Sequence, residues 1–293
     1  MLISLFTVAI KKRLIAKISL FIIGLLLFGC LSQKTQPSEK LIIGVVSYER
    51  GIDFVDKYYD FKDYLGSQTK TFVELEPTFN ERQAIDRIER RVWSIIFAPP
   101  GLAAIAIDRQ GYVPIFPLAG KNLHRSVILV REDSNLFDLE DLSETIFALG
   151  QRGSATGYYL PLYDLYGLTL AEARFAPTPR TILRWLEEET IDAGAISIEK
   201  FNFHQDEFTT PFRIIHQTRA VPSGSVLINP DLDPKLQEKI KTVMKQAPNS
   251  LTQEIGYLPH SRVPDYQQLI IFVNKVRPLE NKLDELPAVL TKD

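Results

Sequence analysis

The residues best placed to do chemistry form one short turn, Gly150-Gln151-Arg152-Gly153-Ser154-Ala155-Thr156-Gly157. An apolar run ends at Leu149 just before it, and a helical pattern begins at its end. The first N–H groups of a helix have no internal acceptors, and the helix dipole adds about half a positive charge there. The Ser154 and Thr156 hydroxyls, with main-chain N–H groups near Ala155 and Gly157, suit a tetrahedral or planar oxyanion. Gly153 and Gly157 would let a ligand approach the backbone closely. The pattern fits a second role equally well, in which Ser154 or Thr156 caps its own helix. No Lys follows the second glycine, so this is not a nucleotide-binding P-loop.

Catalytic constellations are not evident elsewhere. His124, His204, His216 and His260 are isolated in sequence, without an i, i+4 pair for a metal. There is no Gly-x-Ser-x-Gly elbow, and Cys30 is the only thiol. An enzyme is therefore not expected, and no cofactor is implied. Tyr159, Tyr163 and Tyr166 recur at helical spacing and read as core, Trp185 as packing, and Glu187 to Glu189 as a solvated face. Asp192 reads as a strand-end residue that holds a turn, with a place in a pocket wall as the alternative.

Cys30 lies at the junction of an apolar run, Ile18 to Phe28, and a polar stretch, "LSQKTQPSEK". Lys11, Lys12, Arg13 and Lys17 precede the apolar run. Spanning a bilayer takes roughly twenty residues, so the run is too short for a resident anchor and fits a secretory signal peptide. "LFGC" (27–30) is similar to the lipobox of bacterial lipoproteins, a resemblance that implies acylation of Cys30 after cleavage. Residues 1–29 would then be the signal peptide and 30–40 a flexible tether. The competing reading is an inert core cysteine. Cleavage would leave 264 residues with 30 basic and 36 acidic side chains, a net charge of −6. A nucleic-acid binder needs a basic stripe to displace counterions, and none is visible, so no nucleic-acid partner is expected.

The elements that must position the turn follow an α/β grammar. Strands are predicted over 41–48, 71–75 and 92–98, with helices over 52–65 and from Thr78, where Glu81 would complete a capping box. "PPG" (99–101) would start a short helix. Further strands are predicted over 126–132, 145–150, 173–176, 191–197, 211–217 and 223–229. One helical turn is predicted over 138–142, with helices over 156–167, 178–188, 234–246 and 264–276. Alternating strands and helices imply parallel sheets covered by helices. The segments 117–125 and 216–224 lack periodicity and read as crossings between lobes. Lobe 1 would be 41–120 plus 222–293 and lobe 2 would be 121–221, closing on a ligand by hinge motion.

The stretch "RSVILVREDSNLFDLEDLSETIFALGQRGSATGYYLPLYDLYG" (125–167) resembles the phosphate/phosphite/phosphonate-binding proteins of ABC importers. The resemblance extends over about 41–251 and includes "IDAGAI" (191–196) and "SGSVLINPDLDPKLQEKI" (223–240). It implies a two-lobed type II periplasmic-binding fold, each lobe a mostly parallel sheet flanked by helices. It also implies a ligand site at Ser154, Ala155, Thr156 and Gly157, with Tyr48 on the opposite wall. Phosphonate-binding members tend to carry a Gly-Ser-His-Asp segment where this chain has "APTPRT" (176–181), so the His is missing and Arg180 stands nearby as a ligand-binding candidate. Its fork suits a carboxylate, sulfonate or phosphate equally, with a solvated first-turn residue as the alternative. They often place a pocket Tyr or Ser where this chain has "PPGLAAIA" (99–106). The expected partners are a small oxyanion, an ABC permease and, through a lipid, a bacterial membrane on its extracytoplasmic side, the chain acting as a monomer. A sensory or scaffold lipoprotein with a degenerate cleft on the same fold is the alternative.

Overall fold

The strand Lys40–Val46 (β1) is β-branched and almost wholly buried after Lys40, which requires cover on both faces. Phe72–Thr78 (β2) and Ile95–Ala98 (β3) pair with it in parallel along its two edges. Phe61 and Leu65 pack with Leu41, Ile43 and Val45 on one face, while Ala84 and Ile88 belong to the cluster that takes Val46 and Ile42 on the other. This computed structural model describes residues 40–46, 57–120 and 123–291. The expected signal peptide, Cys30, the expected tether up to Glu39, Tyr48 and the first residues of the expected 52–65 helix lie outside the described residues.

The first sheet has the order β2-β1-β3-β13-β4, with β4 at Val113–Pro117 and β13 at Ser225–Ile228. Strand β13 is antiparallel to both neighbours, so four strands run one way and one runs against them. The second sheet repeats the plan with the order β11-β6-β10-β7-β9. Its strands are Ser126–Arg131 (β6), Ile146–Leu149 (β7), Glu172–Phe175 (β9), Ala193–Ser197 (β10) and Phe212–Gln217 (β11). Here β6 is the reversed strand, antiparallel to β10 and β11, while β7 is parallel to β9 and β10. The predicted α/β class is the observed one, and each sheet is mixed, with two parallel and two antiparallel pairings.

Helices Tyr59–Thr69 (α1), Glu81–Glu89 (α2) and Pro100–Gln110 (α3) follow β1, β2 and β3. Helix α3 begins with Pro100 at its first position, where a missing N–H costs nothing. It buries every residue from Gly101 to Ala106. Small side chains there let the neighbouring chain come close. In the second half, the turn after β7 leads through Ala155–Tyr159 into Leu160–Asp164 (α4), and Pro179–Glu187 (α5) follows β9. Later helices are Ile198–His204 (α6), Pro234–Lys245 (α7), Asn249–Ile255 (α8) and Gln267–Val276 (α9).

Several expectations change in detail. Thr78 does not cap α2: it is the last residue of β2, and the Asn80 side chain accepts the Gln83 N–H instead. The strand extends because Thr78 still pairs with Val46, which leaves no room for a capping box begun at Thr78. Strand β4 and helices α6 and α8 were not predicted. The crossings contain a small ribbon, Leu123–His124 (β5) against Val221–Pro222 (β12). The chain end does not remain with the first sheet: Ala288–Val289 (β14) pairs with Thr169–Leu170 (β8) in the second half. One continuous apolar cluster joins both halves, from Ala84, Ile96 and Leu102 through Leu269 and Phe272 to Phe147 and Tyr158.

The cap assignment is directly testable. Asn80→Ala should destabilise the protein by about 1 kcal/mol in urea unfolding and speed hydrogen exchange at the Gln83 amide. An unchanged Gln83 amide would mean that Asn80 is not the cap.

Candidate functional site

Strand β7 stops at Leu149, and the chain turns through Gly150 to Gly157. The turn is closed on itself, since the Gly150 N–H donates to the Gly157 carbonyl at 2.7 Å. Gly153 sits at φ +108°, a conformation that L side chains rarely adopt. Ser154 is extended and caps the following turn, its Oγ accepting the Gly157 N–H at 3.0 Å. Residues Ala155–Tyr159 form one turn of π-helix. Such turns are uncommon and are frequent at functional sites. The Tyr158 and Tyr159 N–H groups both donate to the Ser154 carbonyl.

This settles which donors remain. The Gly157 amide, expected to face a ligand, is consumed by Ser154. Among the described residues, the Ala155 and Thr156 amides and the Thr156 hydroxyl have no partner. Ser154 takes the capping role, while the Ala155 and Thr156 amides beside it keep their donors unspent.

What faces these donors comes from the first sheet. Strands β2 and β3 end at Thr78 and Ala98, and helices α2 and α3 begin directly against the turn. The Glu81 N–H donates to Gln151 Oε1 at 3.3 Å, while Gln151 Nε2 donates to the Pro177 carbonyl at 2.9 Å. A Cβ placed on Gly101 would lie 2.0 Å from the Gly153 carbonyl oxygen and 2.8 Å from the Ala155 nitrogen. A Cβ on Gly153 would lie 2.8 Å from Cβ of Glu81, a residue that is only 2% exposed. The carboxyl ends of three strands therefore converge, which is where ligands sit in open α/β sheets. Two cavities, of about 600 and about 420 Å³, lie elsewhere, and neither is lined by residues 150–157.

The tail holds the turn from another side. Arg152 donates to the Glu280 carbonyl at 2.9 Å and to Asp284 Oδ1 at 2.6 Å, and its guanidinium lies 4.7 Å from the centre of the Phe175 ring. Burial raises the Glu280 carboxyl above the usual range, with Arg109, Arg152 and Arg277 opposing the shift. Burial likewise raises the Tyr158 and Tyr159 phenols.

Arg180 does not join the site. It is half exposed at the start of α5, where Thr178 is the cap, and its Nε pairs with Glu207 at 2.6 Å. The guanidinium thus has a carboxylate neighbour at its Nε on the surface. Tyr48 lies outside the described residues. Asp192 accepts the Ile146 N–H at 2.7 Å, a strand-end role. Tyr159 is buried, with Tyr163 and Tyr166 partly so. Sequence reasoning missed Gly101 and Glu81 as neighbours of the turn, and the outward contacts that its own Gln151 and Arg152 make. The Pro-Pro-Gly signal was visible, but only the tertiary contact explains its glycine.

Residues 43–257 match the family described as ABC transporter, phosphonate, periplasmic substrate-binding protein. No curated protein matches the chain in sequence. XAC2383 from Xanthomonas citri, solved bound to ATP, superposes with a TM-score of 0.69 at 20% identity, over 82% of this chain and 99% of that one. A binding protein component of an ABC phosphonate transporter from Pseudomonas aeruginosa (PA3383) gives 0.62 at 14%, over 84% and 88%. PhnD1 from Prochlorococcus marinus, in complex with methylphosphonate, gives 0.61 at 16%, over 81% and 98%. The shared architecture is the type II periplasmic-binding fold.

The half-buried Glu280 makes a prediction about pH. Its folded pKa exceeds its unfolded one, so the folded state binds the extra proton, and stability is lost as pH rises from about 4.5 through the folded value. Glu280→Gln should therefore raise the melting temperature at pH 7 and flatten this part of the stability profile. A lower melting temperature at pH 7 with the slope intact would show that the ionised carboxylate is stabilised by its arginines.

Proposed function

The chain belongs to the phosphonate-binding family of periplasmic substrate-binding proteins of ABC transporters, and on that premise we propose that it delivers a small phosphorus oxyanion to an importer from the outer side of a bacterial membrane. Its tether would be lipid-anchored through Cys30. The observation that carries the ligand reading is the trio of unspent donors, the Ala155 and Thr156 amides and the Thr156 hydroxyl, where three strand ends converge. Preorganised N–H groups at a helix start are the ordinary means of holding a phosphoryl or phosphonyl oxygen. The ligand would bridge the halves and favour closure by binding that state better than the open one. Lobe 2 at 121–221 would carry the donors and lobe 1 the opposing wall.

A second reading has its own observation. Gly101 already approaches Gly153 and Ala155 backbone to backbone, and the carboxylate-bearing Glu81 is buried against the same turn. A continuous apolar cluster joins the halves. Such a contact holds the halves together without any ligand, as a sensory or scaffold lipoprotein would require.

A thermal-shift series separates the two. Phosphate, phosphite, methylphosphonate, sulfonates and carboxylates are tested separately against the full chain. A bound oxyanion at about a hundred times its dissociation constant should add about 2.7 kcal/mol, or roughly 5–10 °C. The double variant Ser154→Ala, Thr156→Ala should lose that shift. If no oxyanion moves the melting temperature, the scaffold reading stands. If the double variant keeps a full shift, the ligand binds elsewhere. For the anchor, Cys30→Ala should move the protein from the detergent-rich to the aqueous phase on detergent partitioning.

A further inference from the structure

The cavity of about 600 Å³ lies where the β5–β12 ribbon meets the start of α9. Its volume falls within the range of small-molecule sites, about 300–1,000 Å³. Apolar walls come from Leu123 and Val221 of the ribbon and from Leu258 and Leu269 opposite. Arg262 also lines it and, among the described residues, has neither an ion pair nor a hydrogen bond. Arg262 is exposed and shares this state with Arg82 and Arg184, whereas Arg91, Arg109, Arg131 and Arg174 are each paired with a carboxylate.

A buried hydroxyl marks the same space. Ser223 is 5% exposed and lines the cavity. The Tyr266 hydroxyl donates to its carbonyl at 2.6 Å, yet the Ser223 hydroxyl has no partner among the described residues. Asp265 lines the cavity as well, but its Oδ1 accepts the Gln267 N–H at 2.9 Å at the start of α9. One free cation beside one engaged carboxylate favours a monoanion over a dianion such as phosphate, because the second negative charge would face Asp265. The apolar walls ask for a hydrocarbon body.

We propose that this cavity is a second ligand site, selective for a small monocarboxylate with an apolar body, held by Arg262 and Ser223 against the ribbon that links the two sheets. The site is independent of the oxyanion turn and does not require the importer reading to hold. Hexanoate is the probe, titrated into the full chain by calorimetry, with hexanol and inorganic phosphate as controls. Hexanoate should bind while hexanol does not, and Arg262→Gln should weaken hexanoate at least tenfold. The Ser154→Ala, Thr156→Ala variant should bind it as the wild type does, whatever that variant does to oxyanions. Absence of binding up to about 10 mM, a weak limit for a small specific site, would overturn the proposal. So would equal affinity in Arg262→Gln, or loss of binding in the Ser154 and Thr156 variant.

Discussion

The close approach of two chain turns, Gly101 against Gly153 and Ala155, is the constraint on which the rest of the arrangement depends. No side chain longer than hydrogen fits at residue 101 without displacing main-chain atoms. Helix α3 can begin there because Pro100 supplies a preset φ and Gly101 supplies no Cβ. The turn after β7 can meet it because Gly153 takes a left-handed φ. Two helix starts thus face each other, and both bring partly positive N–H groups to the same place.

Such a juxtaposition repels itself unless something negative lies between or nearby. Glu81, buried at the start of α2, brings its side chain against the same turn. A bound oxyanion would supply such a charge. The balance between self-packing and ligand is the physical difference between a receptor and a scaffold on this fold. Ser154 spends its oxygen on its own helix, whereas Ala155 and Thr156 keep their amides, so the local chemistry retains capacity that the global packing presses upon.

The tail gives the turn a second support. Arg152 reaches Glu280 and Asp284, and the last strand, β14, pairs with β8. Helix α9 carries Phe272 against Tyr163, with Arg219 and Lys275 over the aromatic rings. Cation–π contacts of this kind contribute about 0.5–1 kcal/mol each when exposed. They tie the first and second halves along a face remote from the ribbon's cavity at Arg262 only in sequence, since α9 borders both. The chain end is therefore part of how the turn is held.

Local patterning in the sequence determined the α/β class, the two sheets' main strands and the turn's chemical character. Burial on both faces writes continuous apolar runs such as Leu41–Val46, and a helix start writes glycine and hydroxyl residues such as Gly153, Ser154 and Thr156. The period of a pattern depends only on near neighbours, so one sequence suffices to read it. Tertiary structure decided what the turn meets: Gly101 and Glu81 across the strand ends and Glu280 and Asp284 from the tail, as it decided that Glu207 lies beside Arg180. Those partners lie tens to more than a hundred residues away, and their choice follows from sheet order and chain crossing, which no local spacing encodes.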